Sequence, residues 1–142
     1  MPIELLLLYG AMGGLASVLV AALLRPWLSA VGRTGVTPGA THLPIPSWRD
    51  VLEAGTHVFA GGGIGVLYWL SWGFAAIVTV PWWVRGLAFG LACSVTITLP
   101  LLLAVALRAK MQPRMLAALL LEWFYTCSLA ALACAWSAET AG

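Results

Sequence analysis

Charged residues are scarce in this chain. Only 8% of its 142 residues are Asp, Glu, Lys or Arg, whereas 62% are hydrophobic, and the mean hydropathy is +0.98. A soluble globular domain has roughly 25% charged residues, so water is not the main solvent of this protein. Because the formal charge is only +2 and no long basic run is present, nucleic-acid binding is not indicated.

Catalytic and cofactor motifs are also missing. The chain has no Ser-His-Asp order, no glycine-rich phosphate loop and no paired aspartates, so no enzymatic reaction is specified. Its cysteines, Cys93, Cys127 and Cys134, form no CxxC and lie in apolar runs, which argues against a disulfide framework. His42 falls between apolar runs and cannot join His57 in bis-histidine haem ligation. No cofactor is predicted.

Four long apolar segments are present instead, at residues 3–24, 51–80, 84–107 and 115–136. Each reaches the ~20 residues that cross a ~30 Å hydrocarbon core as a helix. Backbone groups in lipid must bond within their own segment, and none of the runs alternates as a barrel strand does. The sequence therefore predicts an all-α bundle of four transmembrane helices, as a single membrane domain over residues 1–142. The early charge is Glu4, at the start of the first run, and the basic residue Arg25 follows the run, which is the reverse of a cleaved signal peptide.

Basic residues are concentrated in two of the connections. The connections after the first and third predicted helices hold six of the seven: Arg25, Arg33, Arg49, Arg108, Lys110 and Arg114. The positive-inside rule places both connections in the cytoplasm and both termini outside. Residues 25–47, rich in Gly, Pro and Thr, are predicted to form an irregular cytoplasmic loop.

Aromatic residues cluster towards the ends of the predicted spans. Amphipathic rings at such positions lie at the level of the lipid headgroups. The outer belt is predicted to contain Tyr68, Trp69, Trp72, Trp82 and Trp83.

Small residues recur four positions apart in the predicted helices. The glycines among them are Gly10 and Gly14 in the first helix, Gly61 and Gly65 in the second, and Gly86 and Gly90 in the third. Such rows let helix backbones approach closely in a membrane. Their simplest interpretation is tight packing within a bundle.

Polar residues lie on the same helix faces. Glu53 and His57 are four residues apart on the second helix, and Glu122 lies on the small-residue row of the fourth. Counting 1.5 Å per residue from the cytoplasmic ends places Ser17, His57, Thr98 and Glu122 at a similar depth. We therefore predict a polar intramembrane site made of these four residues, with Glu53 one turn nearer the cytoplasm.

Three roles for this site remain open. His57 and Glu122 can hydrogen-bond across helices and simply fix the packing, which suits an accessory or structural subunit that packs with itself or with other membrane proteins. Intramembrane carboxylates and histidines also mark proton or solute paths, which suits a small permease or a proton-coupled carrier. Glu53, His57 and Glu122 are lastly a plausible ligand set for a membrane metal-binding protein or enzyme, although their spacing is no fingerprint.

One stretch resembles a known group. The run His57-Val58-Phe59, followed by Gly61, Gly65 and Tyr68 and later by Arg85-Gly86 and Gly90, is similar to small uncharacterised bacterial inner-membrane proteins, including the YagU-like group. The similarity covers the second and third predicted helices, with no match for Glu53, Glu122 or residues 25–47. It implies a multi-pass bundle in the bacterial inner membrane, and it does not indicate an activity. The expected partners are the lipid bilayer and a second copy or a larger membrane complex.

Overall fold

The computed structural model describes residues 2–31, 48–75 and 79–141, and within them all regular secondary structure is helical. The first helix is Ile3–Val31, the second Trp48–Ala75 and the fourth Pro113–Thr140. The third helix, Trp82–Ala109, contains a short π-helical segment at Ser94–Thr98. The prediction of an all-α fold is confirmed for this part of the chain.

Three helices are long and apolar enough to cross a membrane, judged over the described residues. They are the first helix, over Ile3–Val20, and the whole of the third and fourth helices. The second helix has a similar length and carries Glu53 and His57 together with several glycines. Length and composition therefore fit a membrane helical bundle.

The helices are longer at several ends than their apolar runs. The first helix continues past Leu24 and Pro26 to Val31, so the irregular loop predicted for residues 25–47 begins later than expected. The remainder of that loop, residues 32–47, lies outside the described residues. The fourth helix likewise extends beyond Trp136 to Thr140.

A wide turn interrupts the third helix just before Pro100. Proline has no backbone N–H and cannot complete the regular ladder. The N–H of Leu99 bonds to the carbonyl of Ser94, five residues earlier, which is the π-helical pattern. The Ser94 hydroxyl donates to the carbonyl of Gly90 at 2.8 Å, within the turn before it. The chain thus passes Pro100 without ending the helix.

The fourth helix is the centre of the bundle, because it contacts the other three. The first and second helices also pack along each other, whereas the second and third make few contacts. The buried face of the fourth helix is built from small side chains, and it includes Thr126, Ala130, Ala131, Cys134 and Ala135. These small residues let two neighbouring helices lie close on either side of it.

Glycine is required where backbones touch. A Cβ atom at Gly61 would lie 2.2 Å from the carbonyl oxygen of Gly10, and one at Gly65 would lie 2.3 Å from that of Leu6. All six predicted packing glycines would place such an atom within 3.0 Å of a neighbouring backbone atom: Gly10, Gly14, Gly61, Gly65, Gly86 and Gly90. Gly13, which sequence analysis did not select, is equally tight against Ala130.

Tyr68 does not belong to an outer aromatic belt. It is 1% exposed, and its ring packs edge-on against Phe89 with the centroids 5.0 Å apart. The prediction was wrong because depth along a helix does not determine which face a side chain occupies. Trp83, by contrast, is exposed at the start of the third helix.

A pair of neighbouring glycines tests the packing. Gly61→Ala is expected to reduce the free energy of unfolding by about 1–3 kcal/mol, since overpacking at a tight contact has that cost. Gly63 has no atom of the described chain within 4 Å of an added Cβ, so Gly63→Ala is the matched control. It is expected to be neutral or to stabilise by up to about 1 kcal/mol through helix propensity. Unfolding in detergent measures both, and equal effects would contradict the close contact.

Candidate functional site

His57 is brought into the bundle by the packing of the first two helices. The first helix lies so close at Gly14 that a Cβ there would be 2.2 Å from the carbonyl oxygen of His57. Gly61, one turn further along the second helix, contacts Gly10 in the same way. His57 is consequently only 4% exposed, and its ring points towards the fourth helix.

Both ring nitrogens of His57 have close neighbours. Nδ1 lies 2.8 Å from the backbone carbonyl oxygen of Glu53, and Nε2 lies 3.4 Å from Oε1 of Glu122. A carbonyl oxygen can only accept, so Nδ1 carries a proton and donates it. The Nε2–Oε1 contact is long for a hydrogen bond but within the range of an ion pair. The attraction requires one proton between these atoms, on either the imidazole or the carboxyl group.

Trp123 covers the face of the imidazole. The two rings stack with centroids 4.9 Å apart and an interplanar angle of 11°. Glu122 and Trp123 therefore hold His57 from consecutive positions of the fourth helix. The Glu122 side chain is 25% exposed, so the site opens to the surface on the carboxylate side. Sequence analysis missed Trp123, although a tryptophan beside an intramembrane acid, far from the helix ends, was an available signal.

A second polar contact joins the first and fourth helices. The Ser17 hydroxyl donates to the carbonyl of Gly14 at 2.7 Å and lies 2.9 Å from Oγ1 of Thr126. The Thr126 hydroxyl in turn lies 3.1 Å from the backbone carbonyl of Glu122. Both hydroxyl-bearing residues are buried. Ser17 is thus linked through Thr126 to the helix turn that carries Glu122. Thr126 was not among the predicted site residues.

Two other predicted residues contribute differently. The Thr98 hydroxyl contacts Sγ of Cys127 at 3.5 Å, on the side of the fourth helix that faces the third. Glu53 reaches His57 through its backbone carbonyl. Among the described residues, no group of three or more His, Cys, Asp or Glu side chains is arranged to hold a metal ion. The ligand set of Glu53, His57 and Glu122 therefore has no geometric support here.

A further ion pair lies at the other end of the bundle. Nη2 of Arg85, at the start of the third helix, donates to Oε2 of Glu139, near the end of the fourth. The two helices run antiparallel, so opposite charges at these ends meet. Sequence analysis missed the pair because the predicted fourth helix ended at Trp136, before Glu139.

No protein-family model, curated protein or solved structure matches this chain. The resemblance to the YagU-like group therefore stays a prediction. The site is defined by its own geometry: a buried histidine between a carboxylate and an indole, with a hydroxyl pair beside it.

A double-mutant cycle measures the coupling of His57 and Glu122. His57→Phe keeps an aromatic ring on Trp123 and removes both polar contacts, and Glu122→Met removes the carboxylate at similar length. Contacting residues are non-additive, and interhelical polar contacts in membranes are modest, so a coupling energy of about 1 kcal/mol is expected. Unfolding of the two single variants and the double variant gives this value.

The control for the cycle is Glu139→Gln at the far end of the same helix. Paired with His57→Phe, it should be additive within about 0.5 kcal/mol, because distant sites act independently. Additivity of His57→Phe with Glu122→Met would show that the two residues do not interact.

Proposed function

We propose that this chain is a small multi-pass integral membrane protein. In this proposal it acts as an accessory or structural subunit, packing through its second helix with itself or with another membrane protein. Three helices have the length and composition of membrane spans. The second helix, with 28 residues, is also long enough at 1.5 Å per residue. The side chain of His57 on this helix is buried, which supports a fourth span.

The outer surface supports placement in a membrane. Large hydrophobic side chains are exposed on all four helices, including Leu19, Phe59, Leu101 and Leu121. Exposing this much apolar surface to water is unfavourable, whereas lipid tails are as apolar as leucine. The proposal therefore places these faces against lipid or against another membrane protein.

The charges support an orientation. Arg108, Lys110 and Arg114 lie around the turn between the third and fourth helices, whereas Arg85 at the opposite end is paired with Glu139. The positive-inside rule puts the unbalanced basic end in the cytoplasm and both termini outside. Placement in the bacterial inner membrane rests on the resemblance to the YagU-like group.

The observation that carries the packing role is the free glycine face of the second helix. Gly55, Phe59 and Gly63 lie along one side and are exposed, Phe59 to 86%, whereas Gly62 beside them is buried. A Cβ added at Gly55 or Gly63 would meet no atom of the described chain within 4 Å, and at Gly62 only Leu7, at 3.8 Å. We call this stripe the free glycine face.

Glycine inside a helix costs about 1 kcal/mol relative to alanine. At Gly10, Gly14, Gly61 and Gly65 close backbone contacts account for it. No close contact within the described chain accounts for the glycines of the free glycine face. A helix from another subunit would account for them, because small residues in membranes are used where backbones approach. Phe59 would then supply a large apolar contact beside them.

Site-specific photocrosslinking tests this role. A photoreactive benzoylphenylalanine at Phe59, in the membranes of the expressing cell, is expected to give a crosslinked species larger than the monomer. The same group at Leu19, an exposed position on the first helix, is the control and should give much less. Gly55→Leu, which adds bulk to the face where the monomer has room, should reduce crosslinking from Phe59. A monomeric, partnerless species by crosslinking and by native mass spectrometry would contradict the role.

The second candidate is a small permease or a proton-coupled carrier, and the His57–Glu122 pair favours it. Nε2 of the buried imidazole lies 3.4 Å from Oε1 of the partly exposed Glu122 carboxylate. Intramembrane pairs of this kind occur in proton relays. Four helices enclose little space, so transport by this chain would require oligomerisation.

Vesicles containing a pH-sensitive dye test the carrier. If the pair conducts, Glu122→Gln and His57→Ala should each abolish protein-dependent proton flux, while Glu139→Gln leaves it intact. Unchanged flux in both site variants would exclude a carrier that uses this pair.

A further inference from the structure

A cleft of about 640 Å³ opens between the second and third helices. Its lining includes Gly63 and Leu67 of the second helix, Thr98 and Val105 of the third, and Trp123 and Cys127 of the fourth. The walls are apolar except for the Thr98 hydroxyl and the thiols. The cleft exists because the second and third helices make few contacts with each other. Ligand sites have this size and this character, with few polar groups among apolar ones.

The π turn of the third helix borders this cleft. Ile97 and Thr98, the last two residues of the turn, both line it, and so does Cys93, which precedes the turn. π turns of this kind are rare and occur frequently at functional sites. The one irregular turn of the third helix therefore coincides with the cleft.

The cleft extends towards a basic end. Leu101 and Val105 line it, and Arg108 continues their row at the next helical step. Lys110 and Arg114 follow around the turn, and no acidic residue occurs between Leu99 and Leu121. Within the described chain, no carboxylate pairs with any of these three cations, and all three are exposed.

Lys110 occupies a position that favours glycine. Its φ of 49° lies in the left-handed region, which is unique among the described non-glycine residues. There the N–H of Met111 bonds back to the carbonyl of Ala106, which closes the end of the third helix. A side chain in this conformation costs about 1 kcal/mol or more. Lys110 thus places a cation in the turn that ends the third helix, at a position where glycine would be less strained.

We propose that this cleft binds one acyl chain of an anionic phospholipid, whose phosphate is held by Arg108 and Lys110. The inference rests on the membrane placement proposed above. The cleft shares Phe59 and Gly63 with the free glycine face, and the acyl chain is placed along its third-helix wall. Branched side chains on the third-helix wall, such as Ile97, Leu101 and Val105, would hold a helix backbone away, whereas a flexible chain fits between them.

The two parts of the site have different effects. Moving an acyl chain from bulk lipid into the cleft gains little, because both surroundings are apolar. The cleft therefore determines where the acyl chain lies, and the basic residues determine which headgroup is bound. Each basic residue near the headgroup is expected to favour an anionic lipid over a neutral one about fivefold.

Photoreactive lipids test the site in the full chain. Phosphatidylglycerol and phosphatidylcholine, each with a diazirine in the acyl chain, are incorporated into nanodiscs with the purified protein, and the labelled residues are located by mass spectrometry. Labelling by phosphatidylglycerol is expected around Thr98 and Cys127 and is expected to exceed labelling by phosphatidylcholine. Arg108→Gln, an exposed change, should lower that preference by about fivefold. Val105→Trp should reduce labelling by both lipids, and Leu103→Trp, outside the cleft lining, is its control.

Each other outcome counts against the proposal. Equal labelling by both lipids that Arg108→Gln leaves unchanged would overturn headgroup selection. Labelling that Val105→Trp and Leu103→Trp affect equally would place the lipid elsewhere. A crosslink to a second copy from Leu101, on the third-helix wall, would show that a protein fills the cleft. The oligomeric state of the same preparation reports separately on the packing role, so failure of one proposal is distinguished from failure of the other.

Discussion

Contact between helix backbones at glycine is the constraint on which the rest of this structure depends. Lipid tails are as apolar as leucine, so no hydrophobic force drives helices together within a membrane, and close packing has to take its place. Gly10 and Gly61 bring the first two helices into backbone contact, and Gly86 and Gly90 do the same for the third and fourth. At such distances, even one methyl group would force the helices apart.

This packing accounts for both the polar site and the open surfaces. Contact at Gly14 encloses His57, whose remaining neighbours, Glu122 and Trp123, come from the fourth helix. The second helix packs against the first and fourth helices and has little contact with the third. One consequence is the apolar cleft beside the π turn. Another is the free glycine face, where a Cβ added at Gly55 or Gly63 would meet no atom of the described chain within 4 Å. The polar interior and these two open surfaces thus have one origin.

Sequence reasoning worked where a single helix determines the answer. Apolar runs indicated the helices, and spacing by four placed Glu53 and His57 on one face with the small residues. It was weaker at helix ends, since the first helix continues to Val31. It also misplaced Tyr68, because an amphipathic ring near a helix end can face either the headgroups or a neighbouring helix. It gave Thr98 the same depth as His57, but depth alone does not decide on which side of the fourth helix a side chain lies.

The amino-acid sequence by itself determined the helical class, the helix faces and an apolar composition that fits a membrane, because these follow from hydropathy and from the helical period. Only the tertiary structure decided which faces meet. The stacking of Trp123 on His57, the link from Ser17 to Thr126 and the ion pair of Arg85 with Glu139 each join residues far apart in the chain. Such contacts depend on the rotation and separation of whole helices, which glycine contacts between neighbours set and which no single segment encodes.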